Sequence, residues 1–286
     1  MTLTLGFSPC PNDTFIFDAL INKRIDTRGL NFEATLTDVE QLNIMATQEE
    51  LHVTKLSYHA YAYLTHAYAL CTSGSALGYG VGPLLITNAT TNVAQLTYDL
   101  QQPNAKVRIG IPGKLTTANF LCAIAYPNAQ HKTEYVFSAI ENALQHNQID
   151  AGLIIHENRF TYAQHGFVKI IDLGDYWQQL VNAPIPLGGI VVSRKLPIEV
   201  QQLVSQLIKE SVQYAFANPE ASKSYIQQHA QEMNETVQQQ HINLYVNDFS
   251  INLGVQGKLA VNTLLKKAHD LKLTTAYTYP LFVDEY

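Results

Sequence analysis

The chain has 286 residues, 47% of them hydrophobic and 15% charged, with a formal net charge of −6. That composition gives ample core for one large or two ordinary globular domains and excludes a disordered or fibrous chain. The acidic balance, without any cluster of Lys and Arg, excludes a nucleic-acid partner, whereas a small anionic ligand can still be held by local donors.

In chain order, LTLGF predicts a strand, SPCPND a loop at its carboxyl end, and DTFIFDALINKR a helix with Asn12 or Asp13 as N-cap. LNFEATLTDV predicts a second strand and VEQLNIMATQ a second helix. LHVTKLSYHAYAYLTHAY repeats the pattern as a short strand, a polar turn at residues 54–57 and an aromatic-rich helix. This alternation predicts an α/β fold with a mostly parallel sheet. Gly74, Gly78, Gly80 and Gly82 then precede PLLIT, a strand crossing into a second domain, and NATTNVAQLTYDLQQPNA reads as a weakly patterned link.

KVRIGIPGKLTTANFLCAIAY predicts another strand–loop–helix unit, followed by a helix near 134–145 and the strand IDAGLIIHE. The Pro- and Gly-containing LVNAPIPLGG leads into IVVSR, a second crossing strand. Beyond it the chain is mainly helical. Val200, Leu203, Val204, Leu207, Ile208 and Val212 share one helix face, and a later helix near 258–272 carries Leu259, Leu264, Leu265 and Ala268. Two crossings predict a discontinuous larger α/β domain, residues 1–86 and 190–286, and an inserted smaller α/β domain, residues 87–189. A ligand cleft between the two lobes is expected, since open α/β sheets bind beyond the carboxyl ends of their strands.

The N-terminus, MTLTLGFSPCPND, has neither the basic nor the apolar region of a signal peptide, and no stretch nears the roughly 20 apolar residues of a membrane span. A cytoplasmic protein without a membrane partner is expected, its oligomeric state, monomer or homodimer, left open. Cys10, Cys71 and Cys122 form no C-x-x-C pair and are read as reduced thiols.

Three loops face the expected cleft. In SPCPNDT two prolines fix the backbone while Ser8, Asn12, Asp13 and Thr14 offer polar groups, either to a pocket or simply to cap the helix. In TKLSY, Lys55 can meet a carboxylate and Ser57 stands near a helix N-terminus; a surface lysine before an N-cap serine is the ordinary reading. In PGKLTTANF, Thr116, Thr117 and Ala118 open a helix whose unpaired N–H groups and hydroxyls suit a carboxylate or phosphate, or serve as plain caps. The loop lacks the spacing of a P-loop, and no G-x-G-x-x-G follows the first strand.

DAGLIIHENRF ends an apolar strand in two titratable residues. HENRF fails the H-E-x-x-H pattern because Phe160 stands where the second histidine is required, so no metal is expected. If the strand continues, Glu157 faces away from His156, which argues against a dyad. A lone base at the cleft, His156, and an ordinary polar strand end both remain; Glu157 or Arg159 can support the loop.

Taken together, GFSPCPNDTFIF, TKLSYHAYAY, SGSALGYGVGPLL, PGKLTTANFL, AGLIIHENRFTY and YVNDFSINLGVQG resemble segments of the 1,4-dihydroxy-6-naphthoate synthase family of the futalosine route to menaquinone, in order and over nearly the whole chain. The resemblance implies a two-lobed, periplasmic-binding-protein-like (type II) fold used as a cytoplasmic lyase without metal or redox cofactor. It implies cyclic dehypoxanthine futalosine as substrate, His156 as general base, and substrate contacts at Lys55, Leu56 and Ser57 in one lobe and Thr117 and Ala118 in the other. Ser8, Asn12 and Thr116 are the further pocket candidates. The alternatives are chorismate dehydratase of the same pathway and a non-catalytic binding protein for a small carboxylate.

Overall fold

A computed structural model describes residues 1–286 apart from Glu232 and Thr278. The chain falls into two compact units, one of Met1–Gly78 with Pro186–Tyr286 and one of Tyr79–Ile185. The strands run β1 (Thr2–Phe7), β2 (Asn31–Leu36), β3 (Val53–Ser57), β4 (Tyr68–Leu70) and β5 (Ala76–Gly78), then β6 (Leu84–Asn88), β7 (Ile109–Ile111), β8 (Lys132–Glu134), β9 (Ala151–Ile154) and β10 (Phe167–Asp172), and last β11 (Ile185–Ser193).

The sheet of the first unit has the order β2-β1-β3-β11-β4, with β5 also on β11. Strand β1 pairs parallel with β2 and β3, whereas β11 runs antiparallel to β3 and β4. The sheet is therefore mixed rather than mostly parallel, because the returning strand enters its middle. The Pro-Gly stretch before IVVSR is part of that strand: Gly188 and Gly189 pair with Ser57 and Leu56. Glycine is needed there for room, since a Cβ at Gly189 would lie 2.9 Å from the Tyr58 hydroxyl.

One face of this sheet is covered by the helices Pro11–Ile21 and Ile198–Ala217. The expected apolar stripe is buried: Val204, Leu207, Ile208 and Val212 join Phe7, Phe15, Ile16 and Phe17 in one core. Ser211 locks the two helices together, its hydroxyl donating to the Ile16 carbonyl at 2.6 Å and accepting from the Leu20 N–H at 3.2 Å. The later helix, Gly254–Asp270, buries Leu264, Leu265 and Ala268, but Leu259 lies on its exposed side.

The second unit has the order β10-β6-β9-β7-β8. Strand β7 is parallel to β8 and β9, and the crossing strand β6 is antiparallel to β9 and β10. Ile140, Ala143 and Leu144 pack with Leu84, Ile86, Ile149 and Ile154 beneath this sheet. Three sequence expectations change here. The link after β6 contains the helix Val93–Gln101, capped by Asn92 and burying Leu96 and Leu100. The helix expected near 134–145 is shorter: β8 occupies Lys132–Glu134, a 3-10 turn spans Phe137–Ala139, and only Ile140–Gln145 is α-helical. Strand β10 and the helix Leu173–Val181 fall where no element was expected.

Gly82 and Gly174 meet back to back, and a Cβ on Gly82 would lie 2.1 Å from the Gly174 nitrogen. Backbone cannot yield to a methyl group at that distance without moving a strand or a helix end. We expect Gly82→Ala to cost on the order of 1–3 kcal/mol, the range for overpacking a tight site, read as an earlier denaturation midpoint. Among the described residues no helix is long and apolar enough to cross a membrane.

Candidate active site

The polar residues at the carboxyl ends of β1 and β3 form one buried network in the first unit. The first helix begins at Pro11 with Cys10 as N-cap, so neither Asn12 nor Asp13 caps it; both lie in its first turn. The Asp13 carboxylate instead gathers donors. Ser8 contributes its hydroxyl at 2.8 Å and its N–H at 3.2 Å, Asn12 its amide at 2.8 Å, and Lys55 its ammonium at 3.0 Å. The amide donation fixes which end of Asn12 is which, and leaves the carbonyl oxygen Oδ1 buried without a hydrogen-bond partner among the described residues.

Lys55 is not a surface lysine. Residues 54–57 belong to β3 rather than to a turn, and the strand runs directly into the helix Tyr58–Leu64. The Lys55 side chain is 6% exposed, and besides Asp13 it donates to the Gly74 carbonyl at 2.9 Å. An ammonium has three donors; the third takes no partner from the described residues. Leu56 is fully buried. Ser57 is the N-cap, but its own hydroxyl makes no capping bond. Its N–H donates to Asn43 Oδ1 at 2.9 Å, and its hydroxyl accepts from Asn43 Nδ2 at 3.1 Å, the same nitrogen donating to Glu40 at 3.0 Å. The Ser57 N–H is thus committed to Asn43 rather than available to an anion.

In the second unit the carboxyl ends of the parallel strands β7 and β9 carry the other candidates. Thr116 caps the helix Thr117–Ala125: its hydroxyl accepts from the Asn119 N–H at 3.2 Å and donates to the Gly113 carbonyl at 2.8 Å. Capping therefore accounts for Thr116, while Thr117 and Ala118 occupy the first helical positions, buried, where the dipole favours negative charge.

Strand β9 stops at Ile154, and His156 adopts a left-handed backbone with φ 57°. The chain is no longer extended at that point, so the alternation argument for Glu157 does not apply. Glu157 is buried at the start of the helical turn Asn158–Thr161, and His156 is half-buried with its ring edge-to-face on Phe137 at 4.9 Å. Side chains outside β-branched types reach this backbone region at a cost of about 1–2 kcal/mol, and it persists where surrounding structure dictates it.

That surrounding structure is polar and specific. Asn158 donates to Glu141 at 2.8 Å, and the other oxygen of the same carboxylate lies 2.7 Å from His165 Nδ1. On the far side Arg159 spreads over three acceptors: Asp172 at 2.7 Å, the Gly80 carbonyl at 3.0 Å and the Gly82 carbonyl. Sequence reading placed Arg159 near this loop but found none of its partners, which lie 13 to 79 residues away.

The thiols are buried. Burial pushes Cys71 up to about 12 and raises Cys122 as well, which holds both as protonated, inert packing groups near neutral pH.

A family model described as menaquinone biosynthesis matches residues 3–270. The chain is 39% identical over 281 residues to a 1,4-dihydroxy-6-naphthoate synthase of Thermus thermophilus, covering 98% of this chain and 99% of that protein. It is 37% identical over 275 residues to a protein of the same name from Streptomyces coelicolor, covering 93% of each. Among solved structures, protein AF1704 of Archaeoglobus fulgidus gives a TM-score of 0.86 at 30% identity, over 95% of this chain and 98% of that one. A Candida albicans protein with the generic periplasmic-binding-protein fold gives 0.63 at 13% identity, over 97% and 92% of the two chains. At that identity only the fold is shared, and the fold is periplasmic-binding-protein-like. With one family model and two relatives matching it along nearly its whole length, the chain belongs to the menaquinone biosynthesis family.

Proposed function

We propose that this chain is a 1,4-dihydroxy-6-naphthoate synthase: a cytoplasmic lyase that converts cyclic dehypoxanthine futalosine to 1,4-dihydroxy-6-naphthoate with loss of a three-carbon fragment. The observation that carries the reading is the 39% identity to a protein of that name over essentially the full length of both chains. His156 is the general base in this reading. It stands just beyond the carboxyl end of β9, which runs parallel to β7, half-buried with its ring against Phe137.

Substrate contacts are assigned to Lys55, Leu56 and Ser57 and to Thr117 and Ala118, with Ser8, Asn12 and Thr116 as further candidates. Chemistry distinguishes their roles. The third donor of Lys55, which takes no partner among the described residues, suits a carboxylate oxygen, and Asn12 Oδ1 suits a hydroxyl or N–H donor. The committed groups, Thr116 and the Ser57 N–H, hold the backbone that presents their neighbours. In this reading His156 takes a proton from the substrate, the electron pair of the broken bond opens the ring, and as the bond to the three-carbon fragment breaks, His156 returns the proton to the departing group.

Incubation with cyclic dehypoxanthine futalosine and mass-spectrometric detection of 1,4-dihydroxy-6-naphthoate tests the assignment. A parallel incubation with chorismate separates it from chorismate dehydratase. Binding without turnover of either compound would replace the enzyme with a small-carboxylate binding protein.

A further inference from the structure

We propose that Arg159 is a positioning residue for His156, acting through the backbone of the loop rather than by touching substrate. The inference rests on the reading of His156 as the general base. It goes beyond that reading by naming what holds the base in place.

Four observations carry it. His156 occupies a left-handed backbone region that residues with a Cβ adopt only where the surrounding structure dictates it, so its orientation depends on its neighbours. Arg159 is three residues further on, in the single helical turn Asn158–Thr161 that the His156 peptide leads into. Its N–H donates to the His156 carbonyl at 3.3 Å, so backbone and side chain of Arg159 together tie the His156 peptide to the groups around it. The guanidinium, 17% exposed, meets a 6% exposed carboxylate, Asp172, and two main-chain carbonyls.

The groups Arg159 binds are themselves held by hydrogen bonds and close backbone packing. Asp172 is the N-cap of the helix Leu173–Val181, its other oxygen accepting from Gly174 at 2.8 Å and Asp175 at 3.3 Å. Gly82 and Gly174 are in backbone contact, and the Leu173 N–H donates to the Pro83 carbonyl at 3.0 Å. Arg159 therefore anchors the His156 loop where two backbone segments pass too closely for a Cβ on either glycine. Only a planar fork of several donors can serve all three acceptors at once; a lysine ammonium at the end of a flexible stem cannot reproduce that geometry.

The test uses steady-state kinetics on cyclic dehypoxanthine futalosine with four variants: Arg159→Met, Arg159→Lys, His156→Asn, and the Arg159→Met/His156→Asn double variant. A misplacement of about 1 Å costs on the order of 10²-fold. Arg159→Met is therefore expected to lower kcat by roughly 10- to 100-fold with KM little changed, and Arg159→Lys to fall between it and the native protein. In the His156→Asn background the Arg159→Met change is expected to add almost nothing, because there is no base left to position. A native kcat for Arg159→Met, or the same fractional loss with His156 already removed, overturns the proposal. Should Arg159→Met fail to fold, Arg159→Lys with and without His156→Asn supplies the same comparison. Native turnover by His156→Asn alone would show that the base assignment itself is wrong, a result visible before any Arg159 variant is made.

Discussion

Replacing His156 by asparagine is expected to lower kcat by about 10²–10⁴-fold, the contribution of a general base, while leaving the fold intact. The choice of asparagine follows from the backbone. His156 has φ 57°, and asparagine enters the left-handed region more readily than most residues. Alanine would combine the loss of the imidazole with a backbone preference against the turn. Asparagine keeps a polar side chain against Phe137 but cannot accept a proton near neutral pH. If KM stays within a few-fold and thermal unfolding is unchanged, the loss belongs to the chemical step. A variant that unfolds normally and retains native kcat would remove His156 from the mechanism.

The second large effect concerns stability. Asp13 and Lys55 are an ion pair with side chains 3% and 6% exposed, joined at 3.0 Å. Removing one member of a buried pair strands the other in a poorly solvating environment, at a cost of roughly 3–5 kcal/mol. Asp13→Ala leaves the Lys55 ammonium with the Gly74 carbonyl as its remaining partner. It also strips the Ser8 hydroxyl and the Asn12 amide of their shared acceptor. A denaturant midpoint well below native is therefore expected for Asp13→Ala. The Asp13→Ala/Lys55→Met double variant should recover part of that stability, because neither charge of the pair is then left buried without the other. If Asp13→Ala alone leaves the midpoint unchanged, the pair contributes nothing and the network is ornamental to the fold.

The elements that were legible in the sequence are those whose pattern is local. The stripe Val204, Leu207, Ile208 and Val212 repeats at helical spacing and is buried as that spacing requires. Strands β1, β6 and β7 declare themselves by short apolar runs ended by Pro, Gly or polar residues. The misses have physical causes. The helix Val93–Gln101 buries only Leu96 and Leu100, so its apolar stripe is too thin to stand out among polar neighbours, though Asn92 before it is a cap signal that could have marked it. Lys55 reads as a surface residue because lysine is usually one; its burial depends on Asp13, 42 positions earlier in the chain. Strand β9 was expected to run on to Glu157 because Ile155 extends the apolar run in letters, but it stops at Ile154 and the backbone is left-handed at His156.

Site residues followed the same division. Thr116 could be read as a cap from its place before an apolar helix, and it is one. The partners of Arg159 could not be read, because a guanidinium that seeks main-chain carbonyls leaves no side-chain pattern in the sequence. Asn43 was also missed: it sits in a helix that looks merely amphipathic, yet it holds both the N–H and the hydroxyl of Ser57.

The interior place of β11 in its sheet has a consequence for how the polypeptide emerges from the ribosome. Residues Tyr79–Ile185 form one continuous stretch with its own sheet and core, so every strand and helix of that unit is synthesised before residues 186–286. The first 78 residues, although made earlier, belong to a unit that those later residues complete. Strand β3 waits with an open edge until residues 188–192 arrive to pair with it, and the helix that covers the adjoining core starts only at Ile198. Residues 1–78 thus complete their sheet only after the second unit has been made, and the β3 edge stays unpaired in the interval, the kind of surface that invites wrong partners.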